Sequence, residues 1–203
     1  PNLKSFLNAF SIIITLISLV FWFVFSPIDI IYKKISSNIK FQIFYGYFLI
    51  SPMVIVITTV FTQNKILLLI PFIMIWVSDI GAYFIGKRFG KNKLAKNISP
   101  GKTIEGALGG FLCNIIYASI LAYFFAVSFY IMLFFSTIIT ALSIFGDIYQ
   151  SFLKRQANLK DSGSIIPGHG GLFDRLDSFC PTVPIFFLMC NYLYIEISPK
   201  LIL

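Results

Sequence analysis

The chain has 203 residues, of which 58% are hydrophobic and 12% charged, with a mean hydropathy of +0.88. Soluble domains carry about 25% charged residues, so this composition excludes an ordinary water-soluble globule. It points instead to an all-α, polytopic helical membrane protein, a single domain over residues 1–203. The net charge of +8 asks for an anionic partner, and where that charge lies decides which one.

Six apolar runs approach the ~20 residues needed to cross a hydrocarbon core: Leu3–Phe25, Phe41–Phe61, Ile66–Ile85, Thr103–Val127, Phe129–Gln150 and Ser178–Ile197. The first is too long for a signal peptide and lacks its small-residue cleavage site. It starts directly after Pro1 with no Met, which suggests a processed or truncated N-terminus and further helices before it. Gly106, Gly109 and Gly110 open the fourth run, where small residues permit close helix contact. Cys113, Cys180 and Cys190 sit in or beside apolar segments without metal-ligand spacing and read as small core hydrophobes.

Three connections, Ser26–Lys40, Gly86–Lys102 and Ser151–Asp177, carry 3, 6 and 4 of the 16 Lys and Arg residues. Only Lys4, Lys65 and Lys200 lie at the opposite ends. That asymmetry places the charged connections in the cytoplasm and favours anionic membrane lipids and a nucleotide over nucleic acid. Of the eight acids, Asp79 and Asp147 are embedded in apolar sequence. A carboxylate there costs roughly 2.5–3.5 kcal/mol at a helix centre and is functional by default, the plainer alternative being one that snorkels or pairs with a nearby lysine.

From Asp79 to Gly106 the sequence reads DIGAYFIGKRFGKNKLAKNISPGKTIEG: an intramembrane acid, a glycine-spaced basic loop, then a helix start. Ser99-Pro100 has the form of an N-cap followed by proline at the first helical position. A helix N-terminus there would present free N–H groups to an anion, with Lys102 and Thr103 beside it and Glu105 one turn in. The string GKT is not a P-loop, because Lys96 stands where its first glycine is required.

Ser151–Asp177, SFLKRQANLKDSGSIIPGHGGLFDRLD, is the longest run that cannot sit in a membrane. Asp174 and Asp177 are three apart on an expected helix start, so their carboxylates would lie on one side about 5–6 Å apart, a spacing that suits a hard cation such as Mg²⁺.

Both stretches resemble the phosphatidate cytidylyltransferases (CDP-diacylglycerol synthases). The first carries D-x-G-A-Y, G-K-R-F-G-K and S-P-x-K-T-x-E-G; the second carries S-x-x-K-R-x4-K-D-x-G-x2-[IL]-P-x-H-G-G-x-x-D-R-x-D. The resemblance covers Trp76 to Asp177, half the chain, with Ile80 where many members have a small or polar residue. It implies the reaction CTP + phosphatidate → CDP-diacylglycerol + pyrophosphate, with Mg²⁺ and room for a second metal ion, in a dimeric helical enzyme of the bacterial inner membrane with its site at the cytoplasmic helix ends. By family pattern, Asp147, Asp174 and Asp177 are the metal-binding carboxylates.

That chemistry needs charge neutralisation more than a base. Lys154, Arg155, Lys160 and Arg175 are candidate phosphate contacts, Arg being able to grip two oxygens. Asp79, Lys102, Thr103 and Glu105 belong to the expected substrate site. The glycines of PGHGG, Gly170 and Gly171 among them, allow φ > 0 and close approach to phosphate. His169 could bond a phosphate or protonate the leaving group, or be only a turn histidine; Asp161 could be only an ion-pair partner of Lys160. Two other readings stand beside this one. A related CTP-dependent transferase could act on another lipid acceptor, such as an isoprenoid ether lipid or a polyprenol. A transporter would instead place its acids at the midplane within repeats, whereas here they gather at one face and no repeat is seen.

Overall fold

Lipid offers no hydrogen-bond partner to a backbone, so long apolar runs must close their bonds internally, and helices dominate the structure. The computed structural model describes residues 3–32, 43, 46–47, 51, 54–55, 65–159, 162–163, 171 and 173–197. Helix α1 (Leu3–Val20) passes through one π-helical turn, Phe21–Phe25, into α2 (Ser26–Tyr32). α3 (Lys65–Phe89) precedes a two-stranded hairpin, β1 (Lys93–Ala95) and β2 (Ser99–Thr103). α4 (Ile104–Phe125), α5 (Phe129–Gln156), the single turn α6 (Phe173–Leu176) and α7 (Phe179–Ile197) complete the order.

Among the described residues, four helical stretches are long and apolar enough to cross a membrane: Ala9–Tyr32, Leu69–Phe89, Ile104–Phe125 and Phe129–Gln156. The apolar part of α7, Phe179–Ile195, is shorter. The expected run Phe41–Phe61 lies almost wholly outside the described residues. The first expected span does not stop at Phe25 but continues to Tyr32. Its π turn accommodates Pro27. There the Ser26 N–H bonds Phe21 O, five residues back; the next amide in that register would belong to Pro27, which has none. The Ser26 hydroxyl donates to Trp22 O at 3.0 Å instead.

Two further boundaries differ from expectation. α5 runs on to Gln156, so Lys154 and Arg155 stand on its last turn rather than in a loop, where their charge suits the negative helix end. Ser99-Pro100 does not start a helix. Ser99–Thr103 is a strand paired antiparallel with Lys93–Ala95, and Thr103 is the N-cap of α4, its Oγ1 accepting from the Gly106 N–H at 3.1 Å. Both residues have cap chemistry, and the hairpin decides between them. Glu105, in the first turn of α4, accepts from the backbone N–H groups of Lys91 at 3.1 Å and Asn92 at 3.2 Å, and from the Asn92 side chain at 2.7 Å. That anchors the base of the hairpin to α4. At its far end Ile98 packs on a buried aromatic cluster that includes Phe21, Trp22 and Tyr149.

α3 and α4 meet through glycine. A Cβ on Gly81 would lie 2.6 Å from Cys113 Sγ, and one on Gly109 2.6 Å from Ile85 Cδ1. The close approach expected of the fourth span is thus made at Gly106, Gly109 and Gly110, the first facing the Ala82 carbonyl oxygen and the last that of Ser78. α4 and α5 are tied by Asn114, whose Nδ2 donates to Thr140 Oγ1 at 2.6 Å. The main core lies behind these contacts, with Met74, Ile75, Ile139, Met189 and Cys190 fully enclosed.

Candidate active site

A cavity of about 490 Å³ opens where α3, the hairpin, the start of α4, the middle of α5 and the α6–α7 turn converge. α3 contributes Asp79, Tyr83, Gly86 and Lys87; β2 contributes Gly101, Lys102 and Thr103. Ile144 and Asp147 come from α5, and Asp174, Asp177 and Ser178 from the segment after it. The close α3–α4 packing brings the base of the hairpin, and with it Lys102, over α5.

Lys102 is the internal counter-ion. Its Nζ lies 2.6 Å from Asp147 Oδ2 and donates to Ile144 O at 3.2 Å. Asp79 accepts a hydrogen bond from the Ser143 hydroxyl at 3.2 Å. Asp177 accepts from its neighbour's amide, Ser178 N–H, at 2.8 Å. Burial, together with the negative charge of Asp147 and to a lesser degree that of Asp79, pushes the Asp177 carboxyl up to about 6, with Lys102 only partly opposing this. The three acids thus share one lysine and are short of positive charge.

Asp174 is differently placed, although it too reaches the cavity. Its Oδ1 takes the Lys154 ammonium at 2.8 Å. Its Oδ2 accepts from Ser162 N–H at 2.8 Å, the Ser162 hydroxyl at 2.9 Å and Gly171 N–H at 2.8 Å. Burial alone would raise this carboxyl, but the lysine and these three donors override it and hold it well below the usual carboxylate range. Asp174 therefore ties the loop at Ser162 and Gly171 to the end of α5. A Cβ on Gly171 would lie 2.8 Å from Gly163 N, so glycine is needed there for close approach of backbone to backbone.

The cavity brings together the expected residues Asp79, Lys102, Thr103, Asp147, Asp174 and Asp177. Thr103 lines it with its hydroxyl turned to the α4 cap. Three others stand apart from its lining: Lys154 is held by Asp174, Glu105 holds the hairpin, and Arg155 is exposed on the last turn of α5. Lys160, Asp161, His169, Gly170 and the side chain of Arg175 lie outside the described residues. Sequence reasoning did not single out Tyr83, Lys87, Ser143 or Ser178 as site residues. For Tyr83 and Lys87 the signal was their spacing of four and eight residues from Asp79 on one helix, which puts all three on one face.

The sequence model described as the cytidylyltransferase family matches residues 2–193. The chain belongs to that family. It is 43% identical over 128 residues to the phosphatidate cytidylyltransferase of Haemophilus influenzae, covering 59% of this chain and 44% of that protein. To the phosphatidate cytidylyltransferase of Staphylococcus saprophyticus it is 39% identical over 132 residues, 64% of this chain and 49% of that protein. With the phosphatidate cytidylyltransferase of Staphylococcus aureus strain COL it shares 43% identity over 120 residues, 58% of this chain and 46% of that protein. The chain thus spans about half the length of the curated relatives it matches.

Among the described residues, no three His, Cys, Asp or Glu side chains stand close enough together to hold one ion. Mg²⁺ seldom asks for that, being held by one or two carboxylates together with water and substrate phosphates. Asp147 already holds an ammonium at ion-pair distance, and its neighbours supply hard oxygen donors in excess of positive charge. The donor set fits.

Proposed function

We propose that this chain is the catalytic part of an enzyme that transfers CMP from CTP to phosphatidate, giving CDP-diacylglycerol and pyrophosphate for phospholipid synthesis. The observation that carries the reading is the cavity in which Asp79, Asp147 and Asp177 face Lys102 among membrane-length helices, in a chain similar to proteins that bear this activity in their names. The lipid phosphate has a second pKa near ~6, so at neutral pH it is already a dianionic nucleophile and no general base is needed. One of its oxygens bonds to the α-phosphorus of CTP, the bond from that phosphorus to the bridging oxygen breaks, and pyrophosphate leaves with the electron pair.

The obstacle is repulsion between anions. Asp147 and Asp177 would hold Mg²⁺ together with water and substrate phosphates. When bound, that ion supplies Lewis-acid neutralisation of phosphate oxygens. Lys102 neutralises phosphate charge from the opposite wall, leaving Asp147 as it does so, and Lys154, Lys160 and Arg175 are further candidates for phosphate contact. Asp174 positions Lys154. In the same reading the chain crosses the bacterial inner membrane about six times, faces the cytoplasm with this cavity and assembles as a homodimer.

Membranes containing the chain, incubated with labelled CTP, phosphatidate and Mg²⁺, should pass label into the organic phase only when all three are present. Label that appears only with an isoprenoid ether lipid or a polyprenol phosphate would overturn phosphatidate as acceptor. Equal labelling from ATP would overturn the nucleotide assignment. A cysteine placed at Lys91 should resist an impermeant thiol reagent in intact cells; labelling there would reverse the orientation.

A further inference from the structure

Two lysines line the cavity, and one of them, Lys102, is held by Asp147 at 2.6 Å. Among the described residues no carboxylate is within ion-pair distance of the other, Lys87. Its ammonium lies instead 5.6 Å from the centroid of the Tyr83 ring, and both residues line the cavity. Asp79, Tyr83 and Lys87 are spaced i, i+4, i+8 and so form one row along α3, with Lys87 about 12 Å from Asp79 at 1.5 Å per residue. Lys87 is exposed and stands in the last turn of its helix. The row therefore runs from an acidic end within a membrane-length helix to a cationic end at that helix's terminus.

A ligand matching that row has a negatively charged tail at the helix end and a reacting centre near the acids. We infer that Lys87 binds the terminal, β- and γ-, phosphates of the nucleotide, with the Tyr83 ring holding its side chain over the cavity. The inference rests on the proposed CMP transfer and adds a residue to it. The α-phosphate must lie by the carboxylate cluster, and the polyphosphate then extends along α3 towards water. The lipid phosphate, tethered to acyl chains, has to come from the membrane side. As the bond from the α-phosphorus breaks, negative charge grows on the departing pyrophosphate, and a cation without an acid partner is suited to receive it. Tyr83 is a positioning residue in this arrangement, since a ring face attracts an ammonium without neutralising it.

The test is equilibrium binding of CTP and of CMP, each measured separately, to the purified full chain in lipid nanodiscs. Wild type should prefer CTP. Lys87→Gln should weaken CTP roughly 10- to 100-fold, the loss expected for one hydrogen bond to a charged group, and leave CMP unchanged. Lys87→Arg should restore CTP binding, Tyr83→Phe should bind CTP as wild type does, and Tyr83→Ala should fall between. A melting temperature matching wild type shows that Lys87→Gln is folded. If it then keeps the wild-type preference for CTP over CMP, or weakens both nucleotides alike, or raises only the KM for phosphatidate, the inference is overturned. Wild type that binds no CTP sinks the functional reading itself, and this inference with it.

Discussion

Gly146 lies beside Asp147 on α5, where that helix crosses the α6–α7 turn. A Cβ built there would lie 2.5 Å from the Asp177 carbonyl oxygen and 2.8 Å from Pro181 Cδ, and closer still to Pro181 Cγ. Ordinary contact begins at 3.4 Å, so in Gly146→Ala the two segments must part by roughly 1 Å, a displacement that overpacking costs put at about 1–3 kcal/mol. Helix propensity acts the other way, favouring alanine by up to ~1 kcal/mol. The net expectation is a loss of up to about 2 kcal/mol in a protein that still folds. Activity should suffer far more, because the same displacement moves Asp177 relative to Asp147, and misplacement by ~1 Å can cost about 100-fold in rate. Transfer of label from CTP to phosphatidate, normalised to folded protein, measures the second effect; thermal unfolding in detergent measures the first. Pro181→Ala in the same chain removes Cγ and Cδ from the clash and should restore part of both. A Gly146→Ala protein that melts higher than wild type and turns over normally would refute the packing argument and the pairing of Asp147 with Asp177.

Three more expectations follow from the carboxylates. Folding raises the Asp177 carboxyl from its ordinary 3.8 to about 6, so without metal its ionisation opposes the fold and stability falls as pH rises through that window. Half-saturating Mg²⁺ should therefore increase as pH drops below about 6, and Asp177→Asn should flatten that dependence; an unchanged pH profile in the variant would remove Asp177 from the metal site. Asp174 has the opposite sign, its stabilisation being present above 3.8 and lost as pH falls through its depressed folded value. Asp174→Asn should expose the loop around Ser162 and Gly171 to protease at neutral pH, whereas resistance equal to wild type would show that the loop is held by other contacts. Glu105→Ala removes the acceptor for the Lys91 and Asn92 amides and should speed hydrogen exchange across residues 91–103, with CTP affinity falling as Lys102 loses its support; unchanged exchange there would place the anchor elsewhere.

Much of the scaffold was legible because lipid imposes a one-dimensional rule: a run of about 20 apolar residues must be helical. Apolar length alone therefore located α3, α4 and α5. Ends were read less well, because polar residues continue a helix whenever a capping or pairing partner is supplied from outside it. Lys154 extends α5 while paired with Asp174, and Ser26 repairs the helix at Pro27. The hairpin was missed for the same reason. Ser99 and Thr103 carry equal cap signals, and only the contact of Glu105 with Lys91 and Asn92, 13 to 14 residues away, selects Thr103.

The acids and basic residues that carry charge were likewise visible in the sequence, since an embedded carboxylate stands out against apolar neighbours. Which of them meet was not. Asp174 and Asp177 are neighbours by spacing, yet one ties down a loop through Lys154 and Ser162 while the other joins Asp147 and Asp79. Asp79 meets Ser143 across 64 residues of chain. Local sequence determines periodicity, apolar length and the inventory of charge. The meeting of those charges depends on how closely helices pass, which was decided in three dimensions by the absence of a Cβ at Gly81, Gly109 and Gly146.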